Sequence, residues 1–147
     1  MGTTHPPRTE VERALERYFE LGARAAGHPH ADWNKWADLF TEDALYVEPQ
    51  YGTLRGREAI RRWIVPLMEN FRAMLNPIEW SMIDGDRVGF YLWNVMPHPD
   101  PARPPFRFQS FTLLQYRDGL WSYEEDFYDV TVSERMKDEI RQFAARR

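Results

Sequence analysis

The sequence predicts an α+β fold in a single domain, with helices in the first half of the chain and an antiparallel sheet in the second. Its 147 residues are the usual size of one domain. Apolar residues recur with helical spacing before Pro77 and at every second position after it. Asp84-Gly85 and Asp118-Gly119 are typical hairpin turns, so they divide the second half into antiparallel strands. Helices followed by such a meander favour α+β over an alternating α/β architecture.

Two helices are predicted before the first strand. The first begins at Thr9, which has capping-box spacing to Glu12, and it ends in the segment 27–30; residues 1–8 are expected to form a disordered tail. The side chains on its buried stripe are Val11, Ala14, Leu15, Tyr18 and Gly22. The second helix is short, and Asp32 is its predicted N-cap. Its buried face comprises Trp33, Trp36, Ala37 and Phe40.

A strand, a turn and a third helix follow. The strand covers 44–48 and is closed by Pro49, and residues 51–56 form a turn or small hairpin. The third helix covers 57–71, and Pro66 inside it is expected to kink it because proline removes one backbone donor. Its apolar stripe is Ile60, Trp63, Ile64, Leu67 and Phe71.

The second half of the chain is predicted to contain a meander of strands and a last helix. The strands lie near 78–83, 87–96, 106–117 and 120–129, and the proline-rich segment 97–105 joins the second of them to the third. The last helix begins near Thr131, which has capping-box spacing to Glu134. Its apolar positions are Met136, Ile140 and Phe143.

Composition excludes several classes of function. The net charge is −4 and no long run of like charges occurs, so a nucleic-acid-binding face is not expected. Cysteine is absent, which excludes disulfides, thiol catalysis and thiolate metal sites. No apolar stretch is long enough to span a membrane, and we expect a soluble cytoplasmic protein. The histidines lack metal-ligand spacing and no serine lies in a nucleophile elbow, so we expect neither a metal nor a cofactor.

Motifs across most of the chain resemble one family. They are Trp-Ala-Asp-Leu-Phe-Thr-Glu-Asp-Ala-Leu-Tyr-Val-Glu-Pro over 36–49, then Gly52 and Gly-Arg-Glu-Ala-Ile over 56–60, and Asp-Gly-Leu-Trp over 118–121 before Phe-Tyr-Asp over 127–129. This pattern is similar to that of the SnoaL-like members of the nuclear transport factor 2-like superfamily. The resemblance implies that residues 1–147 form one cone-shaped α+β barrel, in which a curved antiparallel sheet wraps around helices and encloses one deep pocket. Ketosteroid isomerase, scytalone dehydratase, limonene epoxide hydrolase, polyketide cyclases and non-catalytic binders share this fold, so it does not decide the function.

The resemblance to ketosteroid isomerase implies roles for two residues. The helical tyrosine of that enzyme, which donates a hydrogen bond to the developing enolate, corresponds to Tyr18. Its general base, an acid before the proline that closes the first strand, corresponds to Glu48. Its second oxyanion donor, an aspartate on the third strand of the meander, has no acidic counterpart, because Ser110 or Thr112 stands in its place. The resemblance therefore implies a base and a phenol but argues against steroid-type isomerisation.

Both residues also have purely structural interpretations. At the end of an apolar strand Glu48 is expected to be partly desolvated, and desolvation suits a carboxylate to proton abstraction near neutral pH. Alternatively, Glu48 is a solvated acid or an ion-pair partner of Arg55 or Arg57. Tyr18 lies on the buried stripe of the first helix, where a phenol that bonds to a backbone carbonyl is also common.

The acidic tract 124–126 is unusual because acids are depleted in strands. Alternation puts Glu124 and Asp126 on one face of the strand, and burial of the other, aromatic face would leave both acids in solvent. The resemblance implies the opposite: both acids face the pocket with Cα atoms about 6.5–7 Å apart, and their mutual repulsion makes one an acid and the other a base. The aromatic face would then lie outside and contact a second subunit in a homodimer. Its residues are Trp121, Tyr123 and Phe127.

Further residues are expected to bind the substrate. One of Trp93 and Asn94 faces the pocket, since they are neighbours on a central strand, and Asp32 is either a helix cap only or also a polar group at the end of the pocket. The pocket is expected to be mainly apolar with a few polar groups, as is usual for small-molecule sites. The expected substrate-binding residues are Asp32, Trp63, Trp93, Asn94, Phe108, Ser110, Thr112 and Tyr128.

We therefore predict a cofactor-independent enzyme that acts on a small hydrophobic or polycyclic molecule by general acid–base chemistry, namely isomerisation, dehydration, cyclisation or epoxide opening. Glu48 is the expected base, with Tyr18 and either Asp126 or Glu124 as acid or oxyanion partner. The alternative is a non-catalytic binding or oligomer-assembly domain of the same fold, whose carboxylates would be exposed or paired with arginine. A third hypothesis is a protein-interaction surface on the outer aromatic face.

Overall fold

The helices and strands follow the predicted order. A computed structural model describes residues 4–25 and 32–147, so the predicted end of the first helix at 27–30 lies outside the described residues. The helices are α1 (Arg8–Ala25), α2 (Trp33–Ala37), α3 (Arg57–Glu69) and α4 (Val130–Ala145). The strands are β1 (Phe40–Glu48), β2 (Gly52–Arg55), β3 (Ile78–Asp84), β4 (Arg87–Met96), β5 (Phe106–Arg117) and β6 (Leu120–Tyr128). The predicted α+β class is confirmed.

The strands form one curved, open sheet in the order β2-β1-β6-β5-β4-β3. The segment 51–56, predicted as a turn or small hairpin, contains β2, which pairs antiparallel with β1. The strands of the second half pair as the predicted meander. β1 and β6 are parallel neighbours, whereas the other neighbouring strands pair antiparallel as predicted. No hairpin joins these two strands, and their relative direction is therefore set by the path of the intervening chain rather than by a turn motif.

Helices α1 and α4 both begin before the residues predicted to start them. α1 begins at Arg8, and the Pro7 carbonyl accepts hydrogen bonds from amides of its first turn, so Thr9 lies inside the helix and is not the N-cap. α4 is capped by Asp129, whose side chain accepts a hydrogen bond from the Thr131 amide at 3.0 Å. Capping-box spacing was misleading in both places because a carbonyl or carboxylate just upstream already satisfies the first free amides.

The first strand is longer than predicted. It begins at Phe40, which is fully buried and belongs to β1 rather than to the face of the second helix. Asp32 caps α2 as predicted, and its carboxylate accepts a hydrogen bond from the Lys35 amide at 3.1 Å. α3 continues through Pro66 and ends at Glu69, slightly before the predicted boundary.

Trp121 lies in the core, so its predicted place on the outer face of the sheet is wrong. Its side chain is only 1% exposed. The pairing register of β5 and β6 shifts between Gln115 and Tyr116, which leaves Ser122 as an extra residue on β6. A bulge of one residue reverses the face of every side chain beyond it. Trp121 and Glu124 therefore both point inward, although simple alternation places them on opposite faces.

The outer face of the sheet carries a row of aromatic side chains. Phe127 and Trp80 are 48% and 47% exposed, and neighbouring rings of the row contact one another. Tyr123 also lies on this side, since it alternates with Glu124. We call this surface the outer aromatic face; its members are Trp80, Tyr91, Trp93, Phe111, Tyr123 and Phe127.

Candidate active site

A cavity of about 250 Å³ lies between the inner face of the sheet and the helices. Strand alternation supplies one wall, because every second residue of β1, β4, β5 and β6 points inward. The sheet residues of the wall are Tyr46, Glu48, Ile78, Phe90, Leu92, Asn94, Phe108, Ser110, Thr112, Glu124, Asp126 and Tyr128. Helices contribute further residues, including Tyr18, Phe19, Trp33, Trp36, Trp63, Ile64, Leu67, Met68, Ser133 and Lys137. The wall is mainly apolar with a few converging polar groups, which is the usual composition of a small-molecule site.

Most of the residues predicted to form the site line this cavity. They are Tyr18, Glu48, Trp63, Asn94, Phe108, Ser110, Thr112, Glu124, Asp126 and Tyr128. The inward direction predicted for Glu124 and Asp126 is confirmed. The alternative of a solvated acidic face is wrong, because Glu124 is only 1% exposed.

Two predicted substrate-binding residues do not line the cavity. Of the neighbours Trp93 and Asn94, Asn94 faces inward and accepts a hydrogen bond from Asn76 Nδ2 at 2.8 Å. Trp93 faces outward, and the guanidinium carbon of Arg107 lies 4.6 Å from the centre of its ring. Asp32 is exposed and serves as the cap of α2. The predictions for Trp93 and Asp32 are therefore wrong, since alternation and the short reach of a helix cap direct both side chains elsewhere.

Glu124 and Tyr18 form a buried hydrogen-bonded pair. Tyr18 Oη donates to Glu124 Oε1 at 2.8 Å, so the phenol is not simply bonded to a backbone carbonyl. Burial raises the pKa of Glu124 well above its ordinary value, the nearby charge of Asp126 raises it further, and the hydrogen bond from Tyr18 opposes both effects. Burial also raises the pKa of Tyr18. The pair therefore favours a protonated carboxyl group beside a protonated phenol.

Asp126 accepts hydrogen bonds on both of its carboxylate oxygens. Tyr46 Oη donates to Oδ2 at 2.6 Å, and Thr112 Oγ1 donates to Oδ1 at 2.6 Å. Burial raises the pKa of Asp126 to about 6, although the bonds from Thr112 and Tyr46 lower it. Asp126 is therefore ionised at neutral pH and is still basic enough to accept a proton.

Asp126 supplies a carboxyl group beside Thr112. The resemblance to ketosteroid isomerase implied that Ser110 or Thr112 replaces the strand aspartate of that enzyme. Asp126 lies directly opposite Thr112 in the register of β5 and β6. A carboxyl group from the neighbouring strand therefore occupies this part of the cavity.

Glu48 accepts three hydrogen bonds at the end of β1. The amides of Gln50 and Tyr51 donate to Oε2 at 2.7 and 2.6 Å, and the phenol of Tyr128 donates to Oε1. Arg57, one of the proposed ion-pair partners, instead donates to a backbone carbonyl at 2.6 Å. A carboxylate offers about four acceptor positions. Glu48 therefore keeps fewer of them for a substrate than Asp126 does.

Lys137 of α4 lines the cavity, and no pattern in the sequence predicted this. Its Nζ donates to Gln50 Oε1 at 2.9 Å and also to the phenol of Tyr51. Ser133, one turn earlier on α4, donates to the same oxygen at 3.3 Å. Tyr46 was also missed, but strand alternation from Glu48 would have identified it. Lys137 gives no such signal, because only the packing of α4 brings it to the cavity.

Two buried polar atoms of the cavity wall have no hydrogen-bond partner among the described residues. They are Glu124 Oε2 and Trp63 Nε1. Trp63 lies between two phenols, with its ring centre 5.2 Å from that of Tyr46 and 5.7 Å from that of Tyr51. A buried polar atom without a partner is unfavourable, and a bound ligand removes that penalty if it supplies the partner. Both atoms are therefore candidate contacts for polar atoms of a ligand.

Several features are absent from residues 4–25 and 32–147. The salt bridges in this part of the chain do not involve Glu48, Glu124 or Asp126. No cluster of three His, Asp or Glu side chains has a geometry that would hold a metal ion. None of the helices in these ranges combines the length and the apolar character needed to cross a lipid bilayer.

Comparison with protein families decides where the chain belongs. A family model described as the SnoaL-like domain matches residues 15–124. The chain belongs to the SnoaL-like family. No curated protein is significantly similar to this SnoaL-like chain.

Solved structures share the fold of this SnoaL-like protein. A nuclear transport factor 2-like protein from Anabaena variabilis ATCC 29413 is 14% identical, with 87% of this chain and 96% of that chain covered and a TM-score of 0.69. A provisionally assigned SnoaL-like polyketide cyclase from Jannaschia sp. CCS1 is 19% identical, with 90% and 95% covered and a TM-score of 0.69. A hypothetical protein with a ketosteroid isomerase-like fold from Catenulispora acidiphila DSM 44928, in complex with trimethylamine, is 25% identical, with 78% and 87% covered and a TM-score of 0.60.

The raised pKa of Glu124 predicts that Glu124→Gln stabilises the protein as the pH rises. Folding raises this pKa, so the carboxyl group supports the fold fully at low pH, and that support is lost as the pH rises through the raised value. Glutamine has nearly the same shape and stays neutral. The variant should match the wild type in melting temperature at about pH 4 and exceed it at higher pH.

The matched control is Glu125→Gln, on the opposite face of the same strand, where Glu125 accepts a hydrogen bond from Tyr123. The control should show no gain that increases with pH. A Glu124→Gln variant that is less stable than the wild type by the same amount at every pH would show that the carboxylate of Glu124 is not desolvated.

Proposed function

We propose that the protein is a general acid–base enzyme that abstracts a proton next to a carbonyl group of a small, largely apolar substrate. This step is shared by isomerases, cyclases and dehydratases, and no cofactor is needed for it. The observation that carries the proposal is a pair of desolvated carboxyl groups, Glu124 and Asp126, each hydrogen-bonded by a phenol in an aromatic cavity. The cavity of about 250 Å³ is small for a ligand pocket, which favours one or two rings over a large polycyclic substrate.

In this proposal Asp126 is the base and Glu124 the acid. The pKa of Asp126, raised to about 6 by burial, lets it hold no proton at neutral pH and accept one during the reaction. Protonated Glu124, through the unpartnered Oε2, stabilises the negative charge that develops on the carbonyl oxygen. Tyr18 donates a hydrogen bond to Oε1, the other carboxyl oxygen of Glu124. Glu48, which the sequence favoured as base, is assigned a positioning role because three donors already occupy it.

The alternative of a non-catalytic binder predicts carboxylates that are exposed or paired with arginine. Within the described residues, Glu124 is buried, Asp126 is half-buried, and neither forms a salt bridge with arginine, which supports the enzyme. The polyketide cyclase and ketosteroid isomerase-like names among the structural neighbours are compatible with proton abstraction. At these identities they support the fold more strongly than the reaction.

Exchange of substrate protons with solvent tests the proposal without knowledge of the product. The protein is incubated in D₂O with a panel of one- and two-ring aryl ketones and β-dicarbonyl compounds, and loss of the proton next to the carbonyl group is followed by ¹H NMR. Wild-type protein should accelerate exchange for at least one compound that it binds. If compounds of the panel bind but none of them exchanges its proton faster, the non-catalytic binder would be favoured.

We further propose that the outer aromatic face contacts a second copy of the chain. Monomeric proteins seldom leave a continuous aromatic surface exposed, and Phe127 lies in this row at 48% exposure. Phe127→Arg should convert a dimer into a monomer, as measured by sedimentation velocity over a range of concentrations. Thr9→Arg, an exposed change on α1, is the control and should leave the dimer intact. A wild-type protein that sediments as a monomer at all concentrations would rule the contact out.

A further inference from the structure

Lys137 introduces a positive charge into a cavity that is otherwise lined by apolar, neutral polar and acidic groups. Among the described residues, it is the one lysine or arginine that lines the cavity. It lies on α4 and is half-buried. A cation in this position is not needed for the proposed proton transfer, so its presence calls for a separate explanation.

The hydrogen-bond partners of Lys137 are neutral. Its Nζ donates to the amide oxygen of Gln50 at 2.9 Å and to the phenol of Tyr51. Aromatic rings flank the ammonium group, with the ring centres of Tyr51 and Phe71 at 4.6 and 5.8 Å. An ammonium group has three donors, and these contacts use two of them. One donor and the full positive charge therefore remain for a ligand.

A second donor lies on the same part of the wall. Trp63 Nε1 is buried without a partner, and the Trp63 ring contacts the ring of Tyr51, which in turn contacts Lys137. The remaining N–H of the Lys137 ammonium and the unpartnered indole N–H of Trp63 are therefore two free donors beside one phenol. Such a group is complementary to an oxygen anion.

The acids of the cavity restrict where an anion could bind. Lys137 reaches Glu48 only indirectly. Its Nζ donates to Gln50 Oε1, which lies 3.4 Å from the phenol oxygen of Tyr128, and Tyr128 donates its hydrogen to Glu48. Glu124 and Asp126 are bonded to other phenols. Like charges repel, so a negatively charged group would bind beside Lys137 and away from the acids. This arrangement would orient an elongated ligand in one direction.

We propose that Lys137 binds a carboxylate of the substrate, so that the substrate class is a small apolar ring compound with one carboxylate. The carboxylate lies at Lys137, and the apolar rings fill the aromatic cavity toward Asp126. This inference rests on the proposed function because it concerns the substrate of the same site. Binding without turnover is sufficient to test it.

Binding of matched acid and amide probes tests the role of Lys137. The probes are 1-naphthoic acid, 2-naphthoic acid and biphenyl-4-carboxylic acid, each paired with its primary amide, and Kd is measured by isothermal titration calorimetry at pH 7.5. Wild-type protein should bind at least one acid about ten- to hundredfold more tightly than its amide, as expected for a hydrogen bond to a charged group. Lys137→Met should abolish this preference, and Lys137→Arg should retain part of it. Arg141→Met, an exposed change one turn later on α4, should leave it unchanged.

The outcomes separate this inference from the proposed function. Equal binding of acids and amides by the wild type, a preference that survives Lys137→Met, or failure of every probe pair to bind would overturn the inference. A Lys137→Met variant that only melts at a lower temperature and keeps the acid preference would assign Lys137 a structural role. Preference for acids together with no proton exchange would keep the inference and reject the enzyme.

Discussion

Replacing Asp126 with asparagine is expected to lower the rate of substrate proton exchange by about 10²- to 10⁴-fold, which is the usual contribution of a general base. The amide has nearly the same shape and keeps an acceptor for Tyr46 or Thr112, but it cannot take a proton from carbon. The wild-type rate should also fall below about pH 6, because the raised pKa of Asp126 means that the base becomes protonated there. Both effects are measured by the NMR exchange assay between pH 4.5 and 8.5.

The same substitution should stabilise the protein at high pH. The pKa of Asp126 is raised from 3.8 to about 6. Each unit of difference in pKa between the folded and unfolded states corresponds to about 1.4 kcal/mol of stability. The contribution of the Asp126 carboxyl group to the free energy of unfolding is complete below about pH 4 and is lost as the pH rises through 6. Asp126→Asn should therefore raise the free energy of unfolding by up to about 3 kcal/mol at pH 8 and by little at pH 4.

Two further variants identify the base. Glu125→Gln, on the other face of β6, should leave exchange unchanged, which excludes a general effect of removing charge from this strand. Glu48→Gln should reduce the rate less than Asp126→Asn does. Nearly full activity in Asp126→Asn together with loss of activity in Glu48→Gln would exclude Asp126 as the base and restore the assignment suggested by the sequence.

Replacing Trp121 with alanine is expected to lower the free energy of unfolding by about 3–5 kcal/mol, the usual range for a large buried aromatic side chain. Trp121 is 1% exposed and contacts the rings of Tyr18 and Tyr116 at 6.3 and 5.7 Å between centres. Alanine would leave a void that the rigid sheet fills poorly. Equilibrium unfolding in urea measures the effect, which is a large part of the stability of an ordinary domain.

The control for Trp121 is Phe127→Ala on the outer aromatic face, where the side chain is 48% exposed. This change should cost less than about 1 kcal/mol at concentrations where the protein is monomeric. A loss for Trp121→Ala as small as that for Phe127→Ala would mean that alternation continues without a bulge and that Trp121 does not belong to the core.

Local sequence patterns accounted for most of the secondary structure. The period of the apolar residues and the Asp-Gly turns located the strands of the meander within a residue or two. These signals depend on neighbours in the chain, so the sequence contains all that they need. Helix starts were less accurate, because Thr9 and Thr131 satisfy a capping motif while other groups actually accept the free amides.

The candidate site was predicted where strand parity was unbroken. Alternation put Glu124 and Asp126 on one face of β6, and the family resemblance implied that this face points inward, as it does in the structure. Alternation would also have identified Tyr46 beside Glu48. It failed for Trp121, because the extra residue at Ser122 reverses parity and nothing in the local pattern marks a bulge. The sequence could not decide whether Trp93 or Asn94 faces the cavity. The register of β4 places Asn94 inward.

By itself, the sequence determined the fold class, the SnoaL-like character of the chain and the placement of Glu124 and Asp126 on one face of their strand. These properties follow from spacing along the chain, which a sequence records directly. Only the tertiary structure decided which phenol bonds to which carboxyl group, how burial separates the pKa values of Glu124 and Asp126 from their ordinary values, and that Lys137 reaches the cavity. Each of these depends on the distance and the solvent exclusion between residues far apart in the chain, and neither quantity is set until the helices pack against the sheet.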